Sequence, residues 1–193
     1  MAKGKIACLL GQDFEDSEYQ VPRERLEQAG YQVVVIGTKA GEELTGYKRK
    51  VKAKVGLSID DADVEDFEGL LIPGGFSPDH LRIDRRFVDF VRKFDRTKRP
   101  LAAVCHGPQL LMTAGLVKGR TLTAWPTVQE DLKCAGANVV DAEVVVDDNW
   151  ITSRKPEDLK AFSDKLLEEL AELEERGQWK GAGASQSEMP RQH

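Results

Sequence analysis

Two kinds of hydrophobic pattern alternate along the chain. Short apolar runs rich in β-branched residues occupy 5–10, 32–36, 69–72 and 101–104, each continuous rather than alternating. That pattern predicts strands covered on both faces. Between them, 18–29 has helical character despite Pro22, and Ile83, Phe87, Val91 and Phe94 recur at helical spacing after Pro78 and Asp79. The succession predicts a mostly parallel sheet with helices on both sides. The stretch 44–60 is mixed and strand-like, an excursion or hairpin.

Further on, 109–116 is expected as a buried helix, 121–125 as a strand and 126–137 as another helix. Residues 143–146 and 150–152 flank Asp147, Asp148 and Asn149, which predicts a β-hairpin. A last helix is expected to begin at Pro156, with Glu157 and Asp158 facing the positive end of its dipole. Its apolar stripe is Leu159, Phe162, Leu166, Leu170 and Leu173. Past Gly177 the composition turns polar and glycine-rich, so the expectation is one domain over 1–177 and a mobile tail over 178–193.

Composition narrows the function classes. The 193 residues carry 28 basic and 33 acidic side chains, a net charge of -5. The signs are interspersed, so no stripe stands ready to neutralise phosphates and no nucleic-acid partner is expected. Three cysteines, Cys8, Cys105 and Cys134, show no Cys-x-x-Cys spacing, and the N-terminus runs into its first apolar segment without a signal peptide. The expectation is a reduced, cytoplasmic protein. No run approaches the roughly 20 apolar residues of a membrane helix. His80, His106 and His193 are scattered, without metal-ligand spacing, and no metal is expected.

Ligands of an open parallel sheet bind beyond the carboxyl ends of its strands. Three such ends carry chemistry: 11–18, with Glu15; 72–79, with Gly74 and Gly75; and 104–108, with Cys105, His106, Gly107 and Pro108. Paired glycines let backbone N–H groups approach a ligand closely. A thiol on a sharp strand-to-helix turn is lifted clear of the sheet, the geometry of a nucleophile elbow. The N–H groups of His106 and Gly75 are then placed to form an oxyanion hole. Cys8 and Cys134 are expected in the core. Glu15 is otherwise a solvated loop acid, and Asp79 a helix N-cap that can also serve a histidine.

The segments 14–16, 71–75, 103–109 and 141–147 together resemble the PfpI family of the ThiJ/PfpI (DJ-one) superfamily, in the same order and over about 5–170. The resemblance implies a flavodoxin-like three-layer α/β/α sandwich and assembly into dimers or larger rings with the active site near the subunit interface. It implies Cys105 as nucleophile, His106 as the imidazole and Asp79 as an acid reaching that imidazole from an adjoining subunit. It also implies Glu15 against the thiol, and Gly74 and Trp125 lining the substrate site, Trp125 standing where some relatives have tyrosine. Relatives have been described as intracellular peptidases, glyoxalases and deglycases, all starting from the same thiolate attack without a cofactor.

The expected function is therefore a cysteine-dependent hydrolase or lyase acting on small carbonyl compounds or peptides in stress protection. The alternative is an oxidation-sensing stress protein or chaperone with little turnover. A class I glutamine amidotransferase needs a His-x-Glu element downstream of the thiol, and a serine hydrolase needs Gly-x-Ser-x-Gly; neither occurs.

Overall fold

A computed structural model describes residues 3–177; the expected tail over 178–193 lies outside them. Seven strands form the main sheet: β1 (Gly4–Leu9), β2 (Tyr31–Gly37), β5 (Leu57–Ser58), β6 (Gly69–Ile72), β7 (Leu101–Val104), β10 (Val144–Asp147) and β11 (Trp150–Ser153). Their order is β10-β11-β7-β6-β1-β2-β5. Every pair is parallel except the β10–β11 hairpin. Two small ladders lie outside it: β3 (Glu43–Thr45) with β4 (Lys52–Lys54), and β8 (Thr121–Leu122) with β9 (Asn138–Val139). The helices are α1 (Asp16–Gln28), α2 (Ser77–Arg82), α3 (Arg85–Arg96), α4 (Pro108–Thr113), α5 (Pro126–Cys134) and α6 (Leu159–Glu175).

The continuous apolar strands follow from having a core on each face. Ala7, Leu9, Leu70, Ile72, Leu101 and Ala103 point to one side, where they meet Phe87, Val91 and Phe94 of α3, Leu110 and Leu111 of α4, and Val128 of α5. Ile6, Cys8, Leu71, Ala102 and Val104 point to the other, against Leu26 of α1 and Phe162, Leu166 and Leu170 of α6. Period-2 geometry splits each run between the two cores, so no position is left for a polar residue. This is the flavodoxin-like three-layer arrangement expected.

Several boundaries differ from the sequence reading. Ile83 does not join the stripe of Phe87, Val91 and Phe94: it is 85% exposed between two helices. Asp84 caps the second of these by accepting from Arg86 N, so a new helix starts where a continuous one was expected. The strand at 121–125 ends at Leu122, and α5 stops at Cys134, whose side chain is exposed rather than in the core. Asp79 is not a cap either: Phe76 occupies that position and Asp79 lies in the first turn without a capping hydrogen bond.

Candidate active site

From β1 the chain proceeds to β2 on one side, while β6 lies on the other, so the loops after β1 and β6 part and leave a crevice at the carboxyl edge. Across it the two loops are stitched together. Phe14 and Gly75 form an antiparallel bridge, Glu15 N donates to Gly74 O at 3.2 Å, and Phe76 N donates to Asp13 O at 2.8 Å. Gly75 sits at φ 72°, and a side chain there would strike the Glu15 backbone nitrogen; only glycine permits this approach.

Next along the sheet, β7 ends in Cys105 at φ 61°, left-handed backbone that a non-glycine residue adopts only under constraint. The constraint is visible: Cys105 N donates to Ser153 O at 3.0 Å, and its carbonyl accepts from Trp125 N at 3.0 Å. Gly107 makes room for the turn, since a Cβ there would lie 2.5 Å from Ile72 O. The elbow expected at this position is therefore present.

The Cys105 side chain is almost enclosed, at 6% exposure. The N–H groups of Gly75 and His106 point at its sulfur, the pair expected to form the oxyanion hole. His106 Nδ1 lies 3.3 Å from Sγ. The carboxyl hydrogen-bonded to the thiol belongs to Glu18. Its Oε2 accepts from Gly74 N at 2.8 Å, while Oε1 is buried without a hydrogen-bond partner.

The electrostatics separate the two glutamates. Burial, with the Glu15 charge next, pushes the Glu18 carboxyl up to about 8, so it holds its proton at neutrality. Burial and the Glu18 charge likewise push the thiol up, while the two N–H groups favour the thiolate. These two groups titrate as one coupled pair. Glu15 goes the other way. Burial opposes its ionisation, but Lys48, the Ser17 hydroxyl and the Glu18 N–H outweigh this and hold it below the usual carboxylate range.

The expectation that Glu15 sits against the thiol is thus corrected. Glu15 is the N-cap of α1, accepting from Glu18 N at 2.9 Å and pairing with Lys48. A side chain folded back onto its own helix cannot also reach the sulfur. It remains on the wall of the same cavity.

His106 is half-buried, its ring stacked on Trp125 with centroids 6.2 Å apart and planes 24° from parallel. Burial lowers its pKa, outweighing the charges of Asp79 and Asp131, which raise it. Within the chain Asp79 is 66% exposed and lies 3.8 Å from Arg82. Among the described residues no hydrogen bond joins it to His106.

Above the thiol lies a cavity of about 580 Å³, lined among others by Glu18, Tyr47, Phe76, Trp125 and Lys155. Gly74, expected to line the substrate site, is not among the lining residues; it lies behind them, where a Cβ would come within 2.6 Å of Glu18 Oε2 and 2.8 Å of Cys105 Cβ. Tyr47 is carried by the turn between β3 and β4. Asp16 anchors that turn by accepting from Lys48 N, Lys50 N and Val51 N at 3.0, 2.9 and 2.8 Å.

The sequence profile of the DJ-1/PfpI family matches residues 4–169. The chain belongs to the DJ-1/PfpI family. Among its relatives is YraA of Bacillus subtilis, whose name carries a provisional assignment as a cysteine protease. The two are 50% identical over 84% of this chain and 96% of YraA. An uncharacterised Staphylococcus aureus protein, SAV1875, is 49% identical over 86% of this chain and 98% of its own length. Of solved structures, a two-domain Anabaena variabilis protein with DJ-1/ThiJ/PfpI-like and ferritin-like domains superposes with a TM-score of 0.86 at 37% identity. It matches 88% of this chain, which spans 48% of that longer protein. Drosophila melanogaster DJ-1beta superposes with a TM-score of 0.78 at 25% identity, over 92% of this chain and 98% of its own.

Sequence reasoning about this DJ-1/PfpI protein missed Glu18, Tyr47, Lys48, Asp131 and Lys155. For Glu18 a signal existed. In Glu15-x-x-Glu18 an acid that caps a helix is occupied by the N–H of the residue three further on. The free carboxyl is then the second one. For the others, on separate loops and a distant helix, spacing gave no signal.

Proposed function

We propose that this protein is a cysteine-dependent hydrolase or lyase of the PfpI type, acting on small reactive carbonyl compounds in the reducing cytoplasm. The observation that carries the reading is the surround of the Cys105 sulfur: a carboxyl kept protonated, two backbone N–H groups and an imidazole nitrogen at 3.3 Å. A merely structural thiol such as Cys8 has apolar neighbours instead.

In the one-proton state of the pair, Glu18 donates to the Cys105 thiolate. The sulfur attacks the carbonyl carbon, a C–S bond forms, and the π pair moves to oxygen, where the N–H groups of Gly75 and His106 receive it. With its pKa lowered, His106 is neutral at pH 7 and acts first as base. For a 2-oxoaldehyde it moves the proton from the carbon bearing sulfur to the neighbouring carbon. The resulting thioester is hydrolysed by water to a 2-hydroxy acid and the free thiol. A cavity of about 580 Å³ rimmed by Tyr47, Phe76 and Trp125 suits a small substrate better than an extended peptide.

Assembly belongs to the same proposal. Phe76 and Ile83, at 60% and 85% exposure, flank α2 and its Asp79. A second copy covering them would shield apolar surface and bring Asp79 toward its neighbour's His106.

The test incubates wild type and Cys105→Ala with methylglyoxal and, in parallel, a peptide panel, following lactate and free amines. Thiol-dependent lactate supports the reading. Thiol-dependent peptide cleavage alone moves the substrate to peptides, and turnover that survives Cys105→Ala overturns the nucleophile.

A further inference from the structure

Two lysines lie near the cavity in different circumstances: Lys155 lines it, whereas Lys48 stands behind its wall residue Glu15. Lys48 is neutralised by Glu15. Lys155 follows Ser153, the end of β11, by two residues and precedes Pro156, in extended backbone at φ -165° and ψ 168°. Its neighbour Arg154 is fully engaged, bonding Asp158 at 2.9 and 3.2 Å and Asp141 at 2.9 Å. Asp141 also feels the Lys155 charge, but the two form no close ion pair. Among the described residues Lys155 forms no ion pair, although it is half-buried and lines the cavity that holds Cys105. Glu157, also on the wall, is exposed at the rim.

An ammonium without a close ion-pair partner beside an apolar rim, with a nucleophile on the floor below, is placed to take a partner on the ligand. We infer that Lys155 is a specificity-determining residue that selects reactive carbonyl substrates that also bear a carboxylate, by pairing with that carboxylate while Cys105 faces the carbonyl carbon. A single ammonium matches the single charge of a carboxylate, and Arg154, whose fork would suit a phosphate dianion, is already occupied. This inference rests on the reading of Cys105 as nucleophile.

The test uses two nearly isosteric alkylating agents, anionic iodoacetate and neutral iodoacetamide. With either, the Cys105 sulfur forms a C–S bond and displaces iodide, so no turnover is needed. Rates at Cys105 are followed by mass spectrometry in wild type, Lys155→Met, Lys155→Arg and, as a surface control, Lys160→Met. The iodoacetate-to-iodoacetamide rate ratio should fall about 3- to 5-fold in Lys155→Met, the effect of one partly exposed ion pair, and hold in the other two. An unchanged ratio in Lys155→Met, or an equal fall in Lys160→Met, overturns the inference. If both reagents leave Cys105 unmodified in every protein, the reading of the thiol as nucleophile has failed instead.

Discussion

Glu18 and Cys105 share a hydrogen bond at the floor of the crevice, and burial keeps the carboxyl protonated to about pH 8. A protonated carboxyl stabilises a thiolate, whereas an ionised one repels it. One turn of helix separates these outcomes, because Glu15, held ionised by Lys48 and its cap, would supply the wrong charge.

Wild-type stability should depend on pH through Glu18. With a folded pKa of about 8 against an ordinary value of 4.5, the folded state keeps a proton that the unfolded chain has lost. Stability therefore declines as pH rises from 4.5 to 8 and levels off above that. Glu18→Gln removes this slope, and urea denaturation at pH 5, 6, 7 and 8 should show the variant gaining on wild type by about 2–4 kcal/mol across the window. Parallel curves would mean that Glu18 is ionised throughout.

Asp16 should hold the rim. It is nearly fully buried and accepts three backbone N–H bonds from the turn that carries Tyr47 and Lys48. Asp16→Ala should cost about 3 kcal/mol and raise KM more than it lowers kcat. Tryptic nicking after Lys48, Arg49 and Lys50 measures the loosened turn directly; an unchanged nicking rate would show that Asp16 does not anchor it.

If Asp79 acts across a subunit interface, mixing inactive Asp79→Ala with inactive Cys105→Ala protein should restore part of the activity. Subunit exchange must be demonstrated independently. With exchange proven and no recovery, the acid works within its own chain or serves only α2.

Peroxide should oxidise Cys105 to a stable sulfinate held by Glu18, even though Cys134 is the more exposed thiol. Mass spectrometry should find this product reduced in Glu18→Leu and retained in Glu15→Leu. Sulfinate that is indifferent to Glu18 would remove the second reading, an oxidation sensor built on the same contact.

How far the chain disclosed these features depended on where the controlling interactions lie. Three central strands were legible because a core on each face forbids polar positions in Ile6 to Leu9, Leu70 to Ile72 and Leu101 to Val104. The elbow was legible because Cys105, His106, Gly107 and Pro108 are contiguous. Ile83 misled because its spacing fits the stripe of α3, while Asp84 as a cap restarts the helix after it. The acid at the thiol was misplaced by three residues because capping, a local competition for Glu15, decides which carboxyl is free. Lys48 and Lys155 were out of reach, as loops placed by tertiary contacts bring the first to Glu15 and the second to the cavity wall.

The central claim, a Cys105 thiolate activated by Glu18, is tested most directly by the rate of Cys105 carbamidomethylation at pH 7 in wild type, Glu18→Leu and Glu15→Leu, with folding checked by circular dichroism. Loss of a charge-assisted hydrogen bond should slow Glu18→Leu about tenfold or more, while Glu15→Leu stays within about threefold of wild type, the scale of a surface ion pair. A slow Glu15→Leu beside an unaffected Glu18→Leu would contradict the account.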